Sequence, residues 1–150
     1  MADKLIQNID YQDLTLEVYH NESVFLSKCY SRFLRGMADN LDRDLIIIGR
    51  PGLENKCGVI YLTHQGSIVG YLAYGDEKGE ILYIIDMNLD VEFNSKELYK
   101  VMMCAMENLA KTENFLAVSA TLYSENTEAI QAAEEVGLTS IYKQLFKKLQ

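Results

Sequence analysis

Residues 13–20 alternate between apolar and polar side chains, and Leu14, Leu16 and Val18 share one side. A period of two residues is typical of a half-buried strand, and we predict that 13–20 is the first strand. From position 25 to position 37 the apolar residues recur at steps of three and four, which predicts an amphipathic helix packed on a sheet.

Two details of this first part stay open at the level of sequence. Asn21 or Ser23 can cap the helix, since both residue types are good N-caps. The apolar segment 45–48 precedes the helix-breaking residues 49–52, and its length does not separate a short strand from a buried helix turn.

The middle of the chain predicts a three-stranded antiparallel meander. Segments 57–64 and 68–74 are rich in β-branched and aromatic residues, and Gln65-Gly66-Ser67 separates them, which is typical of a hairpin. A second turn over 75–79 leads to the segment 81–89, which is apolar on both faces.

A long helix and a further strand follow the meander. Asn94 with Glu97 three residues later resembles a capping box. The helix behind it has a wide apolar face, formed by Leu98, Val101, Met102, Ala105, Met106 and Leu109. Segment 115–122 is the next strand, and a strand, helix and strand in one sheet imply a right-handed parallel crossover. We therefore predict a mixed α/β sheet in which 81–89 and 115–122 run parallel as neighbours or near neighbours.

The last part of the chain predicts a shorter helix over 127–136. Asn126 precedes it, and Gly137 occupies the position of a C-terminal cap. The tail 138–149 is ambiguous, although the sequence of 139–142 favours a strand.

Composition narrows the class of protein and of partner. The 150 residues are 49% hydrophobic, which is enough for the core of one domain, and no linker or repeat divides them. With 14 Lys and Arg against 22 Asp and Glu the formal charge is −8, which argues against nucleic acid or an anionic membrane as partner. Three cysteines and two histidines form no metal or disulfide pattern. These features predict a soluble cytoplasmic protein whose partners are small molecules or proteins.

The run Asn126-Thr127-Glu128-Ala129-Ile130, with Gly137-Leu138 further on, resembles the GNAT superfamily of N-acetyltransferases. That family ends its acetyl-CoA domain with Asn-x-x-Ala-Ile, a helix and Gly-Phe, and here Leu138 stands for Phe. The resemblance implies one GNAT-like domain over 1–150, with a twisted mixed sheet flanked by helices. It also implies a splay between 81–89 and 115–122 that holds the pantetheine arm of acetyl-CoA.

The same resemblance implies where the co-substrate binds. The backbone around Leu89 to Val91 would hold the acyl carbonyl, and Asn126 is a further candidate contact. The pyrophosphate would lie on the loop and first helical turn that follow, formed by Asn94, Ser95, Lys96, Glu97, Leu98 and Tyr99.

This loop departs from the family pattern, which has Gln or Arg first and small residues at its fourth and sixth positions. Those places hold Asn94, Glu97 and Tyr99, so a carboxylate and a phenol stand where a diphosphate should approach backbone amides. Lys96 and Lys100 could partly replace the basic residue, although exposed lysines usually only face solvent. Ala133 stands where many members have a Tyr that protonates the leaving thiolate.

Two single residues carry alternative interpretations. Asp86 interrupts the apolar run 81–89 and could be the general base, or it could bond backbone or face water at a strand end. Asn126 could hold the cofactor or a sheet backbone, or it could act as an N-cap.

Two hypotheses of function follow from the resemblance. The first is an N-acetyltransferase that transfers an acyl group from acetyl-CoA to an amine of a small molecule or a protein. The alternative is a catalytically inactive GNAT-like domain that binds a ligand or another protein, to which Glu97, Tyr99 and Ala133 point. A homodimer is left open in both cases.

Overall fold

The computed structural model describes residues 3–8, 13–20, 56–77, 79–122 and 125–141, together with positions 145, 147 and 149. These residues form one six-stranded sheet whose spatial order is the chain order, β1 to β6. All neighbouring strands are antiparallel except β5 and β6, which are parallel. The strands are β1 Asp3–Asn8, β2 Leu14–His20, β3 Lys56–His64, β4 Ser67–Glu77, β5 Ile81–Leu89 and β6 Ala117–Ala120. The predicted mixed α/β sheet is confirmed.

The N-terminal part contains one strand more than the sequence pattern indicates. The strand predicted over 13–20 is present as β2, with Leu14, Leu16 and Val18 buried. It is not the first strand, because β1 precedes it and all six residues of β1 pair with residues 15–20 of β2. β1 has only an adjacent apolar pair and lacks the alternation that marks β2. The predicted helix over 25–37 and the segment 45–48 lie outside the described residues.

The meander is confirmed over β3, β4 and β5. Gln65 and Gly66 join the first two strands with φ values of 51° and 83°. Positive φ at both central residues is the geometry of a type I′ turn, whose twist matches that of the strands. β4 pairs with β3 on one side and with β5 on the other, so it lies inside the sheet.

The long helix α1, Lys96–Thr112, begins at a different cap from the predicted one. The N-cap is Ser95, whose Oγ accepts the N–H of Leu98 at 3.2 Å. Asn94 instead ends the short 3₁₀ helix Val91–Phe93 by donating its N–H to the carbonyl of Val91. The predicted capping box of Asn94 and Glu97 is therefore wrong, because the preceding turn already uses the Asn94 backbone.

The parallel crossover is confirmed, but β6 is shorter than the predicted 115–122. The N–H of Phe115 donates to the carbonyl of Ala110, and the N–H of Leu116 donates to that of Glu80. The start of the predicted strand thus belongs to the turn that ends α1.

The last helix is confirmed as α2, Thr127–Glu135. Gly137 follows it with φ of 105°, and the N–H of Leu138 bonds back to the carbonyl of Ala133. This is a Schellman motif, which explains the glycine. Residues 138–141 form no strand, so the strand favoured over 139–142 is wrong for its described part.

The core lies between one face of the sheet and the two helices. Alternate residues of the strands share this core with α1 and α2, and Met102, Met103 and Met106 are buried there. The opposite face also carries buried side chains, namely Val59, Tyr61, Tyr71, Ala73 and Ile85. Both faces of the central strands are therefore shielded from solvent.

Candidate functional site

Strand β5 continues beyond the end of its parallel neighbour. The pairing of β5 with β6 begins at Ile81 and ends at Ile84, whose carbonyl accepts the N–H of Thr121 at 3.1 Å. On its other edge β5 pairs with β4 as far as Leu89, opposite Gly70. The last five residues of β5 therefore have one edge without a strand partner among the described residues, and we call the space beside this edge the gap.

Asn126 lies across the gap from β5 and has two roles. Its Oδ1 accepts the N–H of Ala129 at 3.3 Å, so the predicted N-cap of α2 is confirmed. Its Nδ2 donates to the carbonyl of Met87 at 3.2 Å and to Oη of Tyr99 at 3.2 Å. The alternative contact with a sheet backbone is thus also present, and one side chain joins α2 to β5.

Tyr99 reaches the gap from the first turn of α1, and its side chain is fully buried. Its Oη accepts the N–H of Leu89 at 3.1 Å, a hydrogen that Asn88 Oδ1 shares at 2.9 Å. Burial raises the pKa of Tyr99 to about 12, although the hydrogen bonds from Asn126 and Leu89 oppose this effect. The phenol is therefore neutral at physiological pH.

The first turns of α1 carry little free positive charge, because both of their lysines pair with Glu135. Nζ of Lys96 lies 2.7 Å from Glu135 Oε2, and Nζ of Lys100 lies 3.3 Å from Glu135 Oε1. Glu135 raises the pKa of Lys96, and the Lys96 ammonium lowers the pKa of Glu135. Two other candidate residues of this region differ in exposure. Val91 is 93% exposed, whereas the side chain of Leu98 is buried in the core.

Asp86 is buried on the face of the sheet opposite α1, with 7% of its surface exposed. It pairs with Ala73, whereas the next pair is Tyr74 with Ile84, so Ile85 is an extra residue in β5. The hydroxyl of Tyr71 donates a hydrogen bond to Asp86 Oδ2. Asp86 is therefore neither at a strand end nor in water.

Other kinds of site are not found in the described part of the chain. None of its histidines, cysteines and acidic residues gather into a group that could hold a metal ion. Cys104 is exposed and has no disulfide partner. None of the helices in this part is long and apolar enough to cross a membrane.

Solved structures share this architecture. A ribosomal-protein-alanine N-acetyltransferase from Brucella melitensis biovar Abortus 2308 superposes with a TM-score of 0.62 at 8% identity, over 91% of this chain and 99% of that one. The aminoglycoside acetyltransferase AAC(6')-Iy, bound to a bisubstrate analogue of CoA, gives 0.58 at 10% identity over 90% and 98%. An acetyltransferase from Trypanosoma brucei gives 0.57 at 19% over 89% and 99%. The chain has the GNAT fold.

At the level of sequence this GNAT-fold chain stands apart. No protein-family model matches it, and no curated protein matches it either. The identities to the solved structures named above are 8 to 19%, and the similarity establishes the fold.

Among the described residues the pairing of β5 with β6 stops at Ile84, where the GNAT resemblance implies a splay, and the candidate residues gather around this place in two groups. Leu89, Tyr99 and Asn126 meet in the gap, whereas Asp86 lies on the other face of β5. Val91, Asn94, Ser95, Lys96 and Glu97 form the loop and helix start that follow β5. Leu98 is the exception, because its side chain is in the core and its N–H donates a hydrogen bond to Ser95 Oγ.

Sequence reasoning missed Tyr71 as a partner of Asp86. The chain has ten tyrosines, and their spacing does not single out this one. The contact depends on the extra residue in β5, which brings Ala73 opposite Asp86. Such a register shift has no local sequence signal in this strand, although a polar residue within an apolar run indicates that a partner should exist.

Proposed function

We propose that the chain is an N-acyltransferase that uses acetyl-CoA as co-substrate and an amine as acceptor. The observation that carries this proposal is the continuation of β5 beyond β6, which leaves Met87 C=O and Leu89 N–H facing the gap. An extended arm that contains amides can pair with such an edge in the way that an added strand does.

The residues present fit the two parts of acetyl-CoA unequally. The β5 edge suits the pantetheine arm, with Leu89 and the backbone up to Val91 nearest the acyl group. The diphosphate would meet the start of α1, where the amides of Lys96 and Glu97 have no acceptor within the helix and the helix dipole favours an anion. The Glu97 carboxylate and the pairing of Lys96 with Glu135 weaken that attraction.

Asp86 is the candidate general base in this proposal. In the transfer the amine nitrogen forms a bond to the acyl carbon, the carbon–sulfur bond breaks, and a proton leaves the nitrogen for the Asp86 carboxylate. The Tyr71 hydroxyl holds this carboxylate in one orientation.

We propose a small-molecule amine as the acceptor and the cytoplasm as the compartment. A formal charge of −8 attracts cationic amines at long range. The similar solved structures include an aminoglycoside N-acetyltransferase and a ribosomal-protein-alanine N-acetyltransferase, so a polyamine panel and an N-terminal peptide panel are both suitable tests. A homodimer is also open, and sedimentation velocity would test it.

Calorimetric titration with acetyl-CoA and with CoA tests the proposal directly. We expect saturable binding with Kd from micromolar to about 1 mM, which corresponds to about −4 kcal/mol at the weak end. Mass spectrometry of the amine panel then detects transfer. Asp86→Asn should lower kcat about 100-fold at neutral pH and leave acetyl-CoA binding intact, whereas Glu113→Gln, an exposed acid at the far end of α1, should change neither.

A catalytically inactive ligand-binding or interaction domain is the second candidate. The occupation of Leu89 N–H and Met87 C=O by side chains supports it, as does the buried Ala133 in place of a tyrosine. No heat of binding up to millimolar acetyl-CoA would favour this candidate. The double variant Asn94→Arg with Glu97→Gly tests whether the loop alone limits acetyl-CoA binding. It restores the charge and the small residue of the family pattern and leaves the side chains in the gap unchanged.

A further inference from the structure

Two backbone groups at the open end of β5, Leu89 N–H and Met87 C=O, already make the hydrogen bonds that a ligand would make with them. An extended amide chain beside this edge would offer a carbonyl to Leu89 N–H and an N–H to Met87 C=O. Tyr99 Oη accepts the first hydrogen at 3.1 Å, and Asn126 Nδ2 donates to the second group at 3.2 Å. The phenol oxygen therefore replaces a ligand carbonyl, and the side-chain amide replaces a ligand N–H.

We infer that Tyr99 and Asn126 form an internal gate, in which Tyr99 sets the affinity of the site for an amide-containing arm because it must leave the gap before such an arm can pair with β5. This inference rests on the proposed acyl-CoA function and deepens it. It assigns Tyr99 to binding specificity, not to proton transfer.

The two members of the gate are anchored differently. Asn126 is held by its second role, because its Oδ1 caps α2 through Ala129. Tyr99 caps neither helix; its hydroxyl contacts Leu89, Asn126 and, at 3.5 Å, Asn88, and its ring is buried in the core. Rotation of the Tyr99 side chain thus opens the edge without unravelling either helix, whereas removal of Asn126 also weakens α2.

The closed gate reduces the apparent affinity for a ligand. If the site binds only when Tyr99 is displaced, the apparent Kd is the intrinsic Kd divided by the fraction of molecules that are open. The fully buried ring favours the closed state, because displacing it exposes apolar surface. Weak binding by the wild type and much tighter binding by an opened variant is therefore the expected signature.

Titration of acetyl-CoA against three variants tests the gate. Tyr99→Ala should bind at least about tenfold more tightly than the wild type, and Tyr99→Phe should bind with intermediate affinity because its ring still fills the gap. Met106→Ala is the matched control, since it removes a buried side chain from the same helix about two turns away and should leave Kd unchanged. Circular dichroism confirms that each variant is folded.

A second measurement follows Tyr99 in the unaltered protein. The ¹³C-labelled ring signal of Tyr99, assigned by its loss in Tyr99→Phe, should move from a buried to an exposed environment when acetyl-CoA is added. Binding without movement of this signal, or equal affinity of the wild type and a folded Tyr99→Ala, overturns the gate and leaves the acyltransferase proposal standing. Failure of every protein to bind acetyl-CoA overturns the proposed function itself, and the gate with it.

Discussion

The two halves of β5 satisfy the same backbone in different ways. From Ile81 to Ile84 the outer edge pairs with β6, so its hydrogen bonds are those of a parallel ladder. At Met87 and Leu89 the corresponding groups bond to side chains from α2 and α1. Both solutions avoid unpaired buried groups. Only the second can be exchanged for a ligand, because a side chain can rotate away while β6 is held to β5 by a ladder of backbone hydrogen bonds.

The paired half of β5 should be the costlier one to disturb. Ile84 is buried in the core between the sheet and the helices. Ile84→Ala should lower the free energy of unfolding by about 3 kcal/mol, through lost burial and a residual cavity. Urea unfolding measures this. A loss below that of the Asn126 variants would contradict the ranking of the two halves.

Asn126→Ala removes both the α2 cap and the link to Met87. We expect a loss of about 2 kcal/mol, about half from the cap and half from the unsatisfied carbonyl. Asn126→Ser keeps a capping oxygen but is too short to reach β5, so it should recover the cap portion only. Equal stability of the two variants would mean that the cap contributes nothing.

Tyr99→Phe removes one of the two acceptors of Leu89 N–H, and Asn88 retains the other. A loss of about 1 kcal/mol is expected at neutral pH. Burial raises the pKa of Tyr99 to about 12 in the folded state, against an ordinary value of 10.0. The neutral phenol therefore makes its full contribution to the free energy of unfolding below pH 10, and this contribution is lost as the pH rises toward 12. The stability difference between wild type and Tyr99→Phe should therefore shrink over this range, and a constant difference would contradict the shift.

Gly70 lies opposite Leu89, and its substitution should have an effect on stability no larger than that of Tyr99→Phe. A Cβ at this position would lie 2.3 Å from Leu89 Cδ2 and 3.1 Å from the carbonyl oxygen of Asn88. Gly70→Ala should cost about 1 kcal/mol, because the end of the Leu89 side chain can rotate away. It should also change acetyl-CoA affinity, and an unchanged Kd would show that the Leu89 side chain has no influence on the gap.

Local sequence patterns predicted most of the helices and strands, and there is a physical reason for each element that they missed. The meander, α1 and α2 were predictable because their apolar residues recur along the sequence with periods of 2 and 3.6 residues. β1 was missed because its side chains do not alternate, and Ser95 was missed because the preceding 3₁₀ turn decides which residue can be the cap. The loop motif drew attention to Tyr99, but its bond to Leu89 is a tertiary contact that spacing alone does not predict.

The strands lie in the sheet in the same order as in the chain, and this has a consequence for folding kinetics. β3, β4 and β5 close through two short turns, so they can form early from contacts that are local in sequence. The parallel pairing of β5 with β6 must wait for α1 to form and dock, because the helix connects them. We therefore expect φ-values near the Gln65-Gly66 turn to exceed those in β6, which would make the gap one of the last parts of the molecule to take shape.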